Sequence, residues 1–169
     1  TGEAGTGYSH NIGLGTYALE DLTSGKDNVA IGTGTGLNLT TADYTVALGH
    51  DAIGLGITTG YHNLAIGHAA GYDLTSGTSN VFIGPFAGYE ETDNDYNIAI
   101  GHSAFGTAAN DGDKNVAIGF EAMKSGDVSG KHNIGLGSGT YKKGTTGNYN
   151  IPIGSGSFGE STTAGSDNI

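Results

Sequence analysis

A five-residue phrase recurs along the whole chain: Asn, aliphatic, small or variable, aliphatic, Gly. It occupies residues 11–15, 28–32, 45–49, 63–67, 80–84, 97–101, 115–119, 133–137 and 150–154, and a tenth copy begins at Asn168. Thr45 takes the Asn place in the third copy. Successive copies start 17 or 18 residues apart. A period held this closely over 169 residues demands a repeat architecture, in which each unit buries its apolar surface against its neighbours.

Within the phrase, aliphatics at i and i+2 alternate with the residue between them, the pattern of a short strand. Most are β-branched, which suits a pleated surface, and no window carries helical spacing. The Gly ends the strand. Three residues later comes a small residue (Ala18, Thr35, Ala52, Ala70, Ala87, Ala104, Ala122, Thr140 or Ser157), then Gly or a large apolar side chain. This half reads as a second short strand or a tight corner, followed by a polar turn such as Leu74-Thr75-Ser76-Gly77. The fold class is therefore all-β: a β-solenoid (parallel β-roll or β-helix) of about nine 17–18-residue coils, with residues 1–169 as one repeat domain. Coils stacked at strand spacing make a rod about 45 Å long. The phrase Asn sits where an Asn ladder bonds from coil to coil, a structural role.

The simplest assignment of faces turns the two aliphatics inward. The residue between them (Gly13, Ala30, Ala47, Ala65, Phe82, Ala99, Ala117, Gly135 or Pro152) then faces outward, never charged. Such a face suits close approach of other chains, so a parallel homotrimer along it is expected, with Ala99→Glu dissociating it. Pro152 removes a ladder donor and predicts a bend, an edge or a changed cross-section there.

Composition narrows the function. Net charge is −11, and residues 1–113 hold 13 acids against one Lys. That argues against nucleic acid and anionic membrane surfaces as partners. Gly is 33 of 169 but sits at fixed places in the repeat, so the chain is not a flexible linker. Cys is absent, which excludes disulfides and thiolate chemistry. No apolar run is long enough to insert into a membrane. A chain ending partway into a repeat is expected to be a fragment of a longer fibre.

The phrase and its period resemble the repeat regions of bacteriophage tail fibres and the heads of bacterial trimeric autotransporter adhesins. Residues 80–88 (NVFIGPFAG) and 63–77 (NLAIGHAAGYDLTSG) carry the likeness to the fibres, and the 17–18-residue step is longer than that of the adhesin heads. The resemblance implies a left-handed parallel β-roll in a homotrimer, and attachment to a host surface as shaft or as receptor binder. It brings no catalytic residues and no cofactor.

Few residues invite chemistry. Tyr72 and Tyr89 hold one slot on adjacent coils, with Phe86, Glu90, Glu91 and Asp73 nearby. Rings stack on sugar faces and carboxylates bond hydroxyls, so Tyr72, Tyr89, Phe86, Glu90 and Glu91 are the candidate glycan contacts; cover for the core or a subunit seam is the plainer reading of the rings. Phe105, Met123, Tyr141 and Phe158 form a second ladder read as core or interface. His50 and His68 fall on adjacent coils, but no carboxylate recurs at matching spacing, so they read as turn packing and no metal site is assigned. Asp93-Asn94-Asp95 and Asn110-Asp111-Gly112-Asp113 place oxygen ligands close together, as calcium requires, but read better as solvated turns. Residues 154–159 match a dinucleotide-binding expression by chance, lacking its helix and acid. The expected function is non-enzymatic: a trimeric fibre segment of a phage tail, receptor-binding or shaft, contacting host polysaccharide or a protein receptor. A bacterial adhesin head at the cell surface is the alternative, and a phage polysaccharide depolymerase is the alternative of another class.

Overall fold

The computed structural model describes residues 10–106, 112–124, 129–141, 146–158 and 165–169. Eight three-residue strands form one parallel sheet in chain order: β1 (Ile12–Leu14), β2 (Val29–Ile31), β3 (Val46–Leu48), β4 (Leu64–Ile66), β5 (Val81–Ile83), β6 (Ile98–Ile100), β7 (Val116–Ile118) and β8 (Ile134–Leu136). Each residue pairs with its equivalent one coil on, as Ala99 does with Phe82 below and Ala117 above. The chain is a β-solenoid of about seven turns, and no helix occurs among the described residues.

The ninth phrase adds no strand. It contributes one parallel bridge, Leu136 to Ile153. Leu136 N–H still donates to the Pro152 carbonyl at 3.0 Å, but Pro152 has no N–H to extend the ladder, and the sheet ends there.

The second half of each coil is a tight corner, not a second strand. At Gly101 the backbone takes φ 130°, and a Cβ there would lie 2.5 Å from the Gly119 carbonyl, so the phrase ends on the one residue that fits. Ala104 N–H then closes the turn on the Gly101 carbonyl at 3.2 Å. Left-handed backbone recurs at three slots per coil: the residue before the phrase, and the second and fourth after its Gly, as in Tyr96 (φ 61°), Ser103 (φ 53°) and Phe105 (φ 50°). Such conformations are costly for side-chain-bearing residues. Main-chain bonds to adjacent coils fix them here: Tyr96 N–H to Thr78, Ser103 N–H to Pro85, Phe105 N–H to Ala122.

The strand faces are the reverse of the expected assignment. The middle residue points inward: Ala30, Ala47, Ala65, Phe82, Ala99 and Ala117 are all buried. The flanking aliphatics point outward and are half-buried to exposed in every strand, with Ile31 40% and Leu14 65% accessible. Ala99 therefore lies in the core and cannot be a seam between chains. The physical reason is width. One short strand faces corners that themselves send Ala, Thr, Ile, Phe, Met and Tyr inward, so only a small side chain fits at the strand's inner position.

Where the inner residue is large, the corners shrink. Phe82 is fully buried, and Gly71 and Gly88 line its ring; a Cβ on Gly88 would come within 2.4 Å of it. Where the strand gives Ala99, Ala117 or Gly135, the corner four residues past the phrase Gly supplies Phe105, Met123 or Tyr141, all fully buried. That ladder is core, with partly buried Phe158 packed at its end. This is volume matching of the kind that close-packed protein interiors require.

The Asn ladder closes each coil. The side-chain oxygen of Asn80 accepts the backbone N–H of Asn97 at 2.8 Å, while its amide nitrogen donates to the Asn94 carbonyl at 2.7 Å. The same pair of bonds recurs at Asn28, Asn97, Asn115, Asn133 and Asn150. Each Asn ties the end of its own coil to the start of the next in a dry setting, where an unmade bond would be expensive.

Candidate functional site

Slots counted from the phrase Gly place the aromatic side chains. The fifth slot holds Gly54, Tyr72, Tyr89 and Gly106 on successive coils. Parallel stacking of the coils brings Tyr72 and Tyr89 face to face, with centroids 5.1 Å apart and planes 1° apart. Glycines at the same slot on both flanking coils leave the pair bordered by rungs without side chains. Phe86 sets an edge against Tyr89 at 5.6 Å and against His68 at 4.9 Å. His102 lies 5.8 Å from Phe86 and stacks on Phe120 at 5.5 Å. A continuous strip of rings thus runs up one corner of the solenoid from His50 to Phe120.

Carboxylates crowd this strip. Burial and the neighbouring Glu90 raise the Asp73 carboxyl above its ordinary range. The Tyr89 hydroxyl is raised by burial and then by Tyr72, Asp73, Glu90 and Asp51. Two half-buried phenol rings among three acids offer flat apolar faces beside strong acceptors. That pairing suits a polyhydroxylated ligand and disfavours an anionic one.

The structure brings Tyr72, Tyr89, Phe86 and Glu90 together, but not Glu91. Glu91 is buried, only 1% accessible, and its Oε2 accepts a bond from Asn94 Nδ2 at 2.7 Å. Its slot, seven past the phrase Gly, belongs to Leu22, Leu39 and Leu74 on other coils, so it points inward and cannot reach a ligand on the strip.

The acidic turns do not converge as a calcium site among the described residues. Asp95 accepts the Thr78 N–H at 2.7 Å and its hydroxyl at 2.9 Å. Asp113 accepts the Asp95 N–H and pairs with Lys131 Nζ at 2.5 Å. Burial pushes the Asp113 carboxyl upward, but the Lys131 and Asp95 bonds outweigh it and hold it below its ordinary range. These side chains are spent on coil-to-coil bonds. Asn110 and Asp111 lie outside the described residues.

No family model, curated protein or solved structure matches the chain. The site is therefore read from its own geometry.

Two features escaped the sequence reading. A second aromatic column occupies the corner before the phrase: Tyr44 on His62 at 5.0 Å, Tyr61 on His62 at 5.3 Å, and His132 stacked on Tyr149 at 4.9 Å. The other is Asp51. Its left-handed backbone (φ 54°) turns its carboxylate toward His50, 2.9 Å from Nδ1, and His68 joins them from the next coil. Slot arithmetic would have found it, because His50 and His68 share the slot directly after the phrase Gly and Asp51 follows one of them.

Proposed function

We propose that the chain is a non-enzymatic segment of a trimeric surface fibre, most simply of a phage tail, that attaches to a host surface. The observation that carries this reading is the outward double column of aliphatics on β1–β8. From Ile12/Leu14 on β1 to Ile134/Leu136 on β8, these pairs make an uncharged stripe roughly 34 Å long at strand spacing. A continuous apolar patch of this kind on a protein surface commonly marks an interaction site. One such stripe per chain, running parallel to the solenoid axis, closes about a symmetry axis along the fibre, with equal rungs meeting at equal heights. This seam replaces the small-residue face, which the core occupies.

Light scattering tests it directly. Three chains of 16.9 kDa give about 51 kDa in solution. A monomer at all concentrations would sink the fibre reading.

The Tyr72–Tyr89 pair supports a receptor-binding role over that of a plain spacer. Its outer ring faces, with Glu90 and Asp73 beside them, are suited to a neutral glycan. On a host polysaccharide array, wild type binds and Tyr72→Ala/Tyr89→Ala does not; a wild type that binds nothing leaves the shaft role.

A further inference from the structure

We propose that His50, Asp51 and His68 form a surface site for a divalent transition ion of the zinc class. One donor atom from each lies within 4.8 Å of the other two. His50 and His68 come from successive coils with ring centroids 5.4 Å apart, and Asp51 reaches His50 Nδ1 at 2.9 Å. The backbone sets the carboxylate in place: Asp51 N–H is tied to the Thr33 carbonyl at 2.9 Å. One coil below, Gly34 leaves the room that Asp51 Oδ1 fills, since a Cβ on Gly34 would lie 2.2 Å from that oxygen.

The donor set selects the ion. Two imidazoles and one carboxylate suit zinc, copper or nickel, whereas calcium and magnesium want an all-oxygen shell. Donors around one tetrahedral zinc stand ~3.3 Å apart, given bonds of ~2.0–2.1 Å. Both imidazoles are exposed, so rotation of their side chains closes the remaining distance. The ion would sit between His50 Nδ1 and Asp51, which stand 2.9 Å apart, with its outer position open to solvent or to a ligand atom. His68 also touches Phe86 at 4.9 Å, which puts that open position at the end of the aromatic strip.

The test is calorimetric titration of tag-free, chelator-treated protein with zinc chloride, and with calcium chloride in parallel. One zinc per chain and no calcium uptake are expected. His68→Ala and Asp51→Asn should each weaken zinc at least about a hundredfold, since even outer partners of metal sites matter ~10–100-fold. Asn tolerates the left-handed backbone, so Asp51→Asn keeps the corner. His102→Ala changes a histidine of the same slot outside the trio and should bind as wild type. Circular dichroism confirms that each variant is folded. Absence of zinc uptake overturns the site, as does less than a tenfold loss in folded His68→Ala and Asp51→Asn, or an equal loss in His102→Ala.

Discussion

Ala99 and Ile100 are neighbours on β6, yet one is fully buried and the other stands on the surface stripe. The same contrast runs along the sheet. The inner column is small and sealed by the corners of its own coil, while the outer column is larger, more apolar and only half covered. In an ordinary domain the larger aliphatics would make the core. Here the coil is too narrow for them, so the chain completes its core with Ala and corner side chains and leaves the strongest hydrophobic surface outside. The two columns divide the labour: inner rungs hold one coil on the next, and outer rungs carry the seam proposed above.

The sharpest way to break that division is to place the same charge on each side. Ala99→Glu puts a carboxylate into a sealed core with no cation to pair it, which costs several kcal/mol on the order of a small domain's whole stability. The variant should lose its cooperative thermal transition. Ile100→Glu, one residue on, should keep the transition of an isolated solenoid and lose the oligomer in light scattering. If both variants merely dissociate, or both unfold, the two columns do not differ in the way described.

Phe82 tests whether inner volume is set coil by coil. Phe82→Ala should cost about 3–5 kcal/mol, as large cavities do, because Gly71 and Gly88 cannot fill the space. Adding Gly88→Phe rebuilds the arrangement of Ala99 with Phe105, where a Phe already sits at φ 50°, and should recover part of the loss. Denaturant midpoints of the single and double variants check this. No recovery would mean that inner volume is not exchangeable between strand and corner.

Much of this was legible in the sequence, for identifiable reasons. The period, the strand and the Asn ladder follow from spacing alone, and the structure returns the strand in eight of the nine phrases and the ladder on either side of Thr45. The parity of the strand was not legible, because both Ala99 and its flanking Ile98 and Ile100 are apolar and alternation cannot say which set faces in. Coil width decides that, and width depends on corners whose left-handed residues, such as Ile53 and Phe105, carry no glycine to announce them. In the candidate site, Tyr72 and Tyr89 were found because their ladder is a plain 17-residue step. Glu91 was misplaced because it looked like a turn acid, although the Leu22, Leu39 and Leu74 register marks its slot as internal.

The smallest effect probes the Asn ladder where it is incomplete. Thr45 accepts nothing from the coil above it: it receives the Asn28 side-chain oxygen on its own N–H at 2.8 Å, but its hydroxyl turns back toward Asp43. The ladder therefore breaks between Asn28 and Asn63. Thr45→Asn would supply an oxygen for the Asn63 N–H and an amide for the Gly60 carbonyl, since Asn97, Asn115 and Asn150 each donate 15 residues ahead where the step is 18. Two buried bonds at ~0.5–1.5 kcal/mol each, less the extra rotamer entropy of Asn, predict a gain of about 1 kcal/mol. For a chain this size that is a rise of roughly 2–4 °C in Tm. Because Thr45 is fully internal, the change should leave the mass in solution untouched; a shift in oligomer with no shift in Tm would mean that the inner ladder also governs the seam.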